Sequence, residues 1–158
     1  MTEKNNSFNP QTRWDRYFME IANVVARNSK CISRQLGAVL VRDRYIIATS
    51  YNGPSRRVTH CGPLCPRRAA GFASGEGLHL CPAAHAEVNC IATCARLGIV
   101  TADTTLYLNW VMPCKNCAAT IINAGIKEVV HSVEGTYDSL AQRLFSEGGV
   151  EVRRLSCN

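Results

Sequence analysis

Residues 84–131 read AHAEVNCIATCARLGIVTADTTLYLNWVMPCKNCAATIINAGIKEVVH. Apolar residues recur at helical spacing from position 84 to Leu97, where Gly98 supplies a C-terminal stop. Residues 105–109 then form an apolar run of strand length, Cys114 opens a second helix that closes near Gly125, and residues 129–131 are again a strand. Continuing outward, residues 137–146 form a last helix, Gly148-Gly149 turns the chain, and residues 150–155 complete a final strand. Alternation of this kind predicts an α/β fold, with helices on the faces of one sheet.

Upstream, Trp14, Phe18, Ile21 and Val25 recur at helical spacing. Thr12 with Asp15 three residues on reads as a capping box, which predicts a first amphipathic helix ending about Asn28. Residues 36–41 and 45–49 are apolar and β-branched, with Arg42-Asp43-Arg44 as the hairpin turn between them, and Asn52-Gly53-Pro54 ends the second strand. From there the cysteine-rich segment 52–82 is too long for an ordinary connection, so something must hold it. Residues 1–12 are polar and expected to be flexible. At 158 residues and 46% hydrophobic, residues 1–158 are expected to form a single domain.

Two motifs carry chemistry: His85-Ala86-Glu87 and, one strand later, Pro113-Cys114-Lys115-Asn116-Cys117. His85, Cys114 and Cys117 are ligands of the kinds zinc takes, and a catalytic zinc keeps its fourth position for water. The pKa of that water falls towards about 7, which makes hydroxide available at neutral pH. Glu87 would then take the proton of the attacking water, pass it to a ring nitrogen and help protonate the departing amine. A closed structural site would use four ligands and would not need that carboxylate. The combination resembles the signature of the zinc nucleobase deaminases. Both motifs fall at predicted helix N-termini, whose partial positive charge favours the thiolates of Cys114 and Cys117.

The net charge of +6 is dispersed over pairs such as Arg56-Arg57, Arg67-Arg68 and Arg153-Arg154. Such pairs read as solvated surface, as phosphate ligands for a nucleotide, or as a nucleic-acid groove. No interleaved aromatic tract supports the last, so no nucleic-acid partner is expected. The N-terminal segment has no apolar run that could be a signal peptide or membrane span, so a cytoplasmic location without membrane contact is expected. Nine cysteines then argue for metal ligation and free thiols over disulfides. Cys31, Cys61, Cys65 and Cys81 could form a second zinc site that staples the long loop, with His60 or His79 as substitutes; otherwise they are unliganded thiols. Cys90 and Cys94 read as core, and Cys157 as a tail thiol.

The run Trp14-Asp15-Arg16-Tyr17-Phe18-Met19, residues 31–40, Tyr51-Asn52-Gly53, His60-Cys61, Ser74-Gly75-Glu76, His85-Ala86-Glu87-Val88-Asn89 and residues 121–127 resemble the deoxycytidylate (dCMP) deaminase family. The resemblance implies a three-layer α/β/α cytidine deaminase-like fold whose central mixed five-stranded sheet is flanked by helices. It implies a hydrolase that converts dCMP to dUMP for thymidylate synthesis. His85, Cys114 and Cys117 would hold Zn2+, Glu87 would shuttle the proton, and Asn52, Ala86 and Tyr137 would bind substrate. Cys31, Cys61 and Cys81 fall where relatives place ligands of a second zinc. The resemblance further implies a homohexamer activated by dCTP and inhibited by dTTP, with Tyr51, Gly53 and Asn89 in the effector site.

One departure bears on specificity. Residues 106–113 run one residue longer than in family members, and this loop lines the base pocket, so recognition of the base could be reshaped. Trp110 itself is expected in the core, where an isolated tryptophan usually packs. Two other functions share parts of the pattern: a deaminase acting on a base within RNA or DNA, such as a tRNA adenosine deaminase, and a non-catalytic zinc protein. A stapled loop over the pocket would obstruct a polymer, and Glu87 has no work in a non-catalytic site.

Overall fold

The structure, a computed structural model, describes residues 10–60, 64–73, 76–135 and 138–156. Helix α1 (Pro10–Ala26) precedes a hairpin of β1 (Gly37–Arg42) and β2 (Tyr45–Tyr51), and a short β3 (Gly53–Pro54) follows. The cysteine-rich segment carries α2 (Pro66–Ala69), a helical turn (Leu78–Leu80) and β4 (Ala83–Ala84). The remainder alternates: α3 (Ala86–Leu97), β5 (Thr105–Leu108), α4 (Lys115–Asn123), β6 (Glu128–His131), α5 (Ser139–Glu147) and β7 (Glu151–Arg154).

One mixed sheet runs in the order β2-β1-β5-β6-β7. β1 is antiparallel to β2 and to β5, while β5, β6 and β7 are parallel and are joined by α4 and α5 as crossovers. Alternation along the strands divides the core. Ala38, Leu40, Leu106, Leu108 and Val129 pack with Cys90, Cys94, Ile121 and Phe145 of α3, α4 and α5. Val39, Val41, Tyr107 and Val130 point the other way, onto Phe18, Met19 and Ala22 of α1. The fold is therefore the expected three-layer α/β/α arrangement around a mixed five-stranded sheet. A Cβ on Gly37 would stand 2.1 Å from the Ala22 carbonyl oxygen, so only glycine lets α1 seat this closely on β1.

Local signals and long-range contacts part company at several places. The hairpin turns on Asp43 and Arg44 alone, both left-handed at φ 50° and 67°, as a two-residue turn between twisted strands requires. α1 begins at Pro10, whose fixed φ suits a first helical position, so residues 10–12 are helical and Thr12 and Asp15 lie inside the helix instead of capping it. Asp15 is bound mostly at long range: its buried carboxylate accepts hydrogen bonds from Tyr107 Oη at 2.9 Å and both terminal nitrogens of Arg153, and locally from Gln11 Nε2 at 3.0 Å. Arg153 also pairs with Glu128, and Arg154 with Glu134, so these two arginines serve ion pairs within the fold.

Asn52-Gly53-Pro54 does more than end β2, because Gly53 and Pro54 pair with Ala84 and Ala83 in a second, two-stranded sheet. That pairing draws Ala84 out of the helix predicted to contain it. Segment 52–82 is likewise not one structureless loop: buried Arg67 donates from its guanidinium to the carbonyls of Ala73 and Glu76. No helix among the described residues is long and apolar enough to cross a membrane.

Candidate active site

The short strand β4 delivers the chain to α3 at His85, and the turn after β5 delivers it to α4 at Cys114. Both residues are N-caps in extended conformation, and their carbonyls accept the first helical bonds, from Asn89 N and Ala118 N. Glu87 and Cys117 follow in the first turns and face inward. His85 Nδ1 lies 3.3 Å from Cys117 Sγ and 3.7 Å from Cys114 Sγ, and the three ligand atoms lie within 4.8 Å of one another. Ordinary zinc–nitrogen and zinc–sulfur bonds at tetrahedral angles would separate such atoms by about 3.5 Å. Among the described residues this is the one convergent group of three His, Cys, Asp or Glu ligand atoms.

The convergent donor set fits a cation, and its protons are shared in a way consistent with that. Cys114 is lowered to about 3, chiefly by the hydrogen bond from Cys117, with the His85 ring and the Cys117 backbone N–H adding to it against the effect of burial. The same bond to Cys114, with burial, pushes the Cys117 thiol up, and the bond to Cys114 raises His85. Protons thus sit among ligands that a divalent cation would hold instead, releasing them as it binds. One imidazole and two sulfurs form a donor set suited to zinc. Glu87 is only 7% exposed and burial raises its pKa; no ion pair reaches it among the described residues.

His85, Ala86 and Glu87 line a cavity of about 390 Å³, within the range of small-ligand sites. Leu36, Leu108 and Met112 give it apolar walls. Asn52 also lines it, but its amide is already bonded within the protein: Oδ1 accepts from Leu36 N at 2.9 Å and Nδ2 donates to the Arg34 carbonyl at 3.0 Å. Tyr51, Gly53 and Asn89 come together because Asn89 Nδ2 donates to the carbonyls of the other two. Cys31 and Cys81 reach the cavity wall and Cys65 is buried, yet the three form no convergent ligand group; Cys61 lies outside the described residues. Tyr137 and Cys157 also lie outside them.

Trp110 is a correction. It is only half-buried, and its ring lines the cavity beneath the Arg34 guanidinium, which stands 4.8 Å from the ring centroid. Asn109 and Arg34 were the residues that motif reading missed. Asn109 Oδ1 accepts from Gly37 N at 2.7 Å and so joins two stretches of cavity wall. Its only signal in the sequence was its place at the C-terminal end of a strand, just before the second motif.

Fold and cluster together define a zinc-site domain of the cytidine deaminase-like kind. Residues 12–133 match the cytidine and deoxycytidylate deaminase zinc-binding region, and the chain belongs to that family. It is 38% identical over 150 residues to the deoxycytidylate deaminase of Schizosaccharomyces pombe, covering 94% of this chain but 45% of the relative, so it spans a little under half of that protein's length. It is 38% identical over 126 residues to the deoxycytidylate deaminase of Mycobacterium phage D29, covering 77% of this chain and 95% of that one. The solved dCMP deaminase of cyanophage S-TIM5, in complex with dCMP and dUMP, shares the fold at a TM-score of 0.73 and 22% identity, covering 92% and 98% of the two chains.

Proposed function

We propose that this chain catalyses the hydrolytic deamination of dCMP to dUMP and ammonia, with one zinc ion held by His85, Cys114 and Cys117. The observation that carries the reading is a buried glutamate, Glu87, beside three convergent ligand atoms on a small, mostly apolar cavity. The relatives named deoxycytidylate deaminase support dCMP as the substrate.

Zinc on those three atoms would supply the Lewis acidity that makes hydroxide available near neutral pH. Glu87 accepts the proton of the attacking water as its oxygen bonds to C4 of the cytosine, and delivers that proton to the ring nitrogen N3. It then relays the second water proton to the exocyclic amine, so that ammonia leaves as the C4 carbonyl forms. One water is consumed, one ammonia is released, and nothing is oxidised or reduced. Burial prepares Glu87 for both directions of transfer, because it lifts the carboxyl towards the working pH. Leu36, Leu108 and Met112 keep bulk water from the base. In the same reading Ala86 and Asn52, both on the cavity wall, bind the substrate together with Tyr137, Asn52 meeting the sugar from a position fixed by residues 34–36.

The reading extends to regulation and assembly: a homohexamer, with dCTP as activator and dTTP as inhibitor acting near Tyr51, Gly53 and Asn89. The Asn89 bonds support that placement, since they couple α3, which carries Glu87, to the end of β2. A second zinc on Cys31, Cys61, Cys65 and Cys81 is a matter of stoichiometry. Two zinc ions per chain by elemental analysis support it, and one per chain removes it. The test of the activity is ammonia release by zinc-loaded protein from dCMP, deoxycytidine, dAMP and a deoxycytidine-containing oligonucleotide. Release from dCMP is expected; release from the oligonucleotide alone would transfer the site to a polymer-acting enzyme. A hyperbolic response to dCMP, unmoved by either triphosphate, would remove the effector site.

A further inference from the structure

Among the charged side chains on the cavity wall, Arg34 alone is positive and uncommitted. His85 belongs to the ligand cluster, and the Arg67 guanidinium is bonded to the carbonyls of Ala73 and Glu76. The Arg34 guanidinium makes no hydrogen bond or ion pair among the described residues, and it lies over the face of the Trp110 ring. Stacking occupies the flat face of a guanidinium and leaves its edge, where the N–H groups lie, open to an oxyanion.

Both partners are held from behind. The Arg34 carbonyl accepts from Asn52 Nδ2 at 3.0 Å, and Asn52 Oδ1 accepts from Leu36 N at 2.9 Å. The Trp110 carbonyl accepts from Ser132 N and Val133 N, each at 3.2 Å, which ties it to the chain leaving β6. Arg34 is exposed, but its backbone is tied through the Asn52 amide and the indole narrows its choice of rotamers, so less entropy is lost when an anion binds.

We propose that Arg34, positioned by Trp110, binds the 5′-phosphate of the substrate and makes the site prefer a nucleotide to the corresponding nucleoside. The inference rests on the nucleotide deaminase reading above. Trp110 is the positioning residue: it touches Arg34 and orients the fork that a phosphate accepts bidentately. In this reading the loop before Cys114 has a role, since it carries the indole onto the cavity wall.

The test compares zinc-loaded wild-type protein with Arg34→Ala, Arg34→Lys, Trp110→Leu and Trp110→Phe. Binding of dCMP and of deoxycytidine is measured by calorimetry, and turnover by ammonia release. Arg34→Ala is expected to lower the preference for dCMP over deoxycytidine by about 10- to 100-fold, the worth of a charge-assisted bidentate contact. The loss should fall on KM and leave kcat for dCMP nearly intact. Trp110→Leu is expected to lower the preference by about 2- to 5-fold, with Trp110→Phe restoring most of it and Arg34→Lys intermediate between wild type and Arg34→Ala. An unchanged preference in Arg34→Ala overturns the proposal, as does an equal loss for both ligands or a failure of wild-type protein to bind dCMP. Wild-type protein that binds dCMP but releases no ammonia sinks the deaminase reading, and the binding preference still decides the role of Arg34.

Discussion

Two buried carboxylates sit on opposite faces of the same sheet, and the fold treats them in opposite ways. Asp15, 2% exposed on the α1 face, is bonded by Tyr107, Gln11 and Arg153, and Arg153 is itself shared with Glu128. Glu87, 7% exposed on the face of α3 and α4, makes no ion pair among the described residues, and burial raises its pKa. A carboxylate saturated by donors and paired with a cation ties elements together. One without a side-chain ion pair, beside a cavity, stays free to gain and lose a proton. Burial alone therefore does not mark a functional acid; burial without a matched cation does.

The sharpest break in this comparison comes from the zinc cluster. Cys117→Ala should lose the bound metal and bring ammonia release down at least about a thousandfold, and elemental analysis beside the assay checks both. Glu87→Gln is expected to slow turnover by about 10²- to 10⁴-fold, with zinc content and thermal midpoint close to wild type. A variant that kept full turnover would take the proton relay away from Glu87. On the other face the pattern should invert. Arg153→Met strips the cation from Asp15 and should cost about 3 kcal/mol in denaturant unfolding, while turnover per folded molecule stays within about twofold. If turnover fell as far as in Glu87→Gln, the two faces would not be separate.

Tyr107→Phe should cost only about 1–2 kcal/mol, because it removes one donor to Asp15 and leaves the ion pair. The smallest effect is a pH dependence at His131, which ends β6. Burial, with Arg154 nearby, lowers its pKa from 6.5 against the opposing bond to the Val133 carbonyl, so the folded state favours the neutral ring. That contribution is present above the unfolded value and is lost as the pH falls through the folded one. Stability profiles of wild type and His131→Gln should therefore run parallel above about pH 7 and converge below it, where the wild type loses what the variant never had. Parallel profiles throughout would show that the ring does not titrate on unfolding.

How much could be read before folding depends on the range of the interaction. The helices at α3 and α4, their N-terminal motifs, the Gly98 stop (φ 68°) and the core placement of Cys90 and Cys94 are matters of spacing within a few residues, and they were legible. The capping-box reading of Thr12 and Asp15 failed because Pro10 had already begun the helix, and because Asp15 answers to Arg153, far along the chain. Trp110 carried no local sign that an arginine from the loop before β1 would lie on its face.

The sequence by itself determined the candidate site: one imidazole, two thiols and a carboxylate at helix starts, residue types and spacings of the kind a zinc site uses. It determined the alternation of strands and helices too, since strand and helix periods are local. Only the tertiary structure decided which charges are engaged and which are free. Arg67, Arg153 and Arg34 look alike in the chain, yet one is bonded to loop carbonyls, one is locked between two carboxylates, and one stands open over an indole. An arginine's neighbours in space are set by packing between distant segments, and no spacing rule along the chain encodes them.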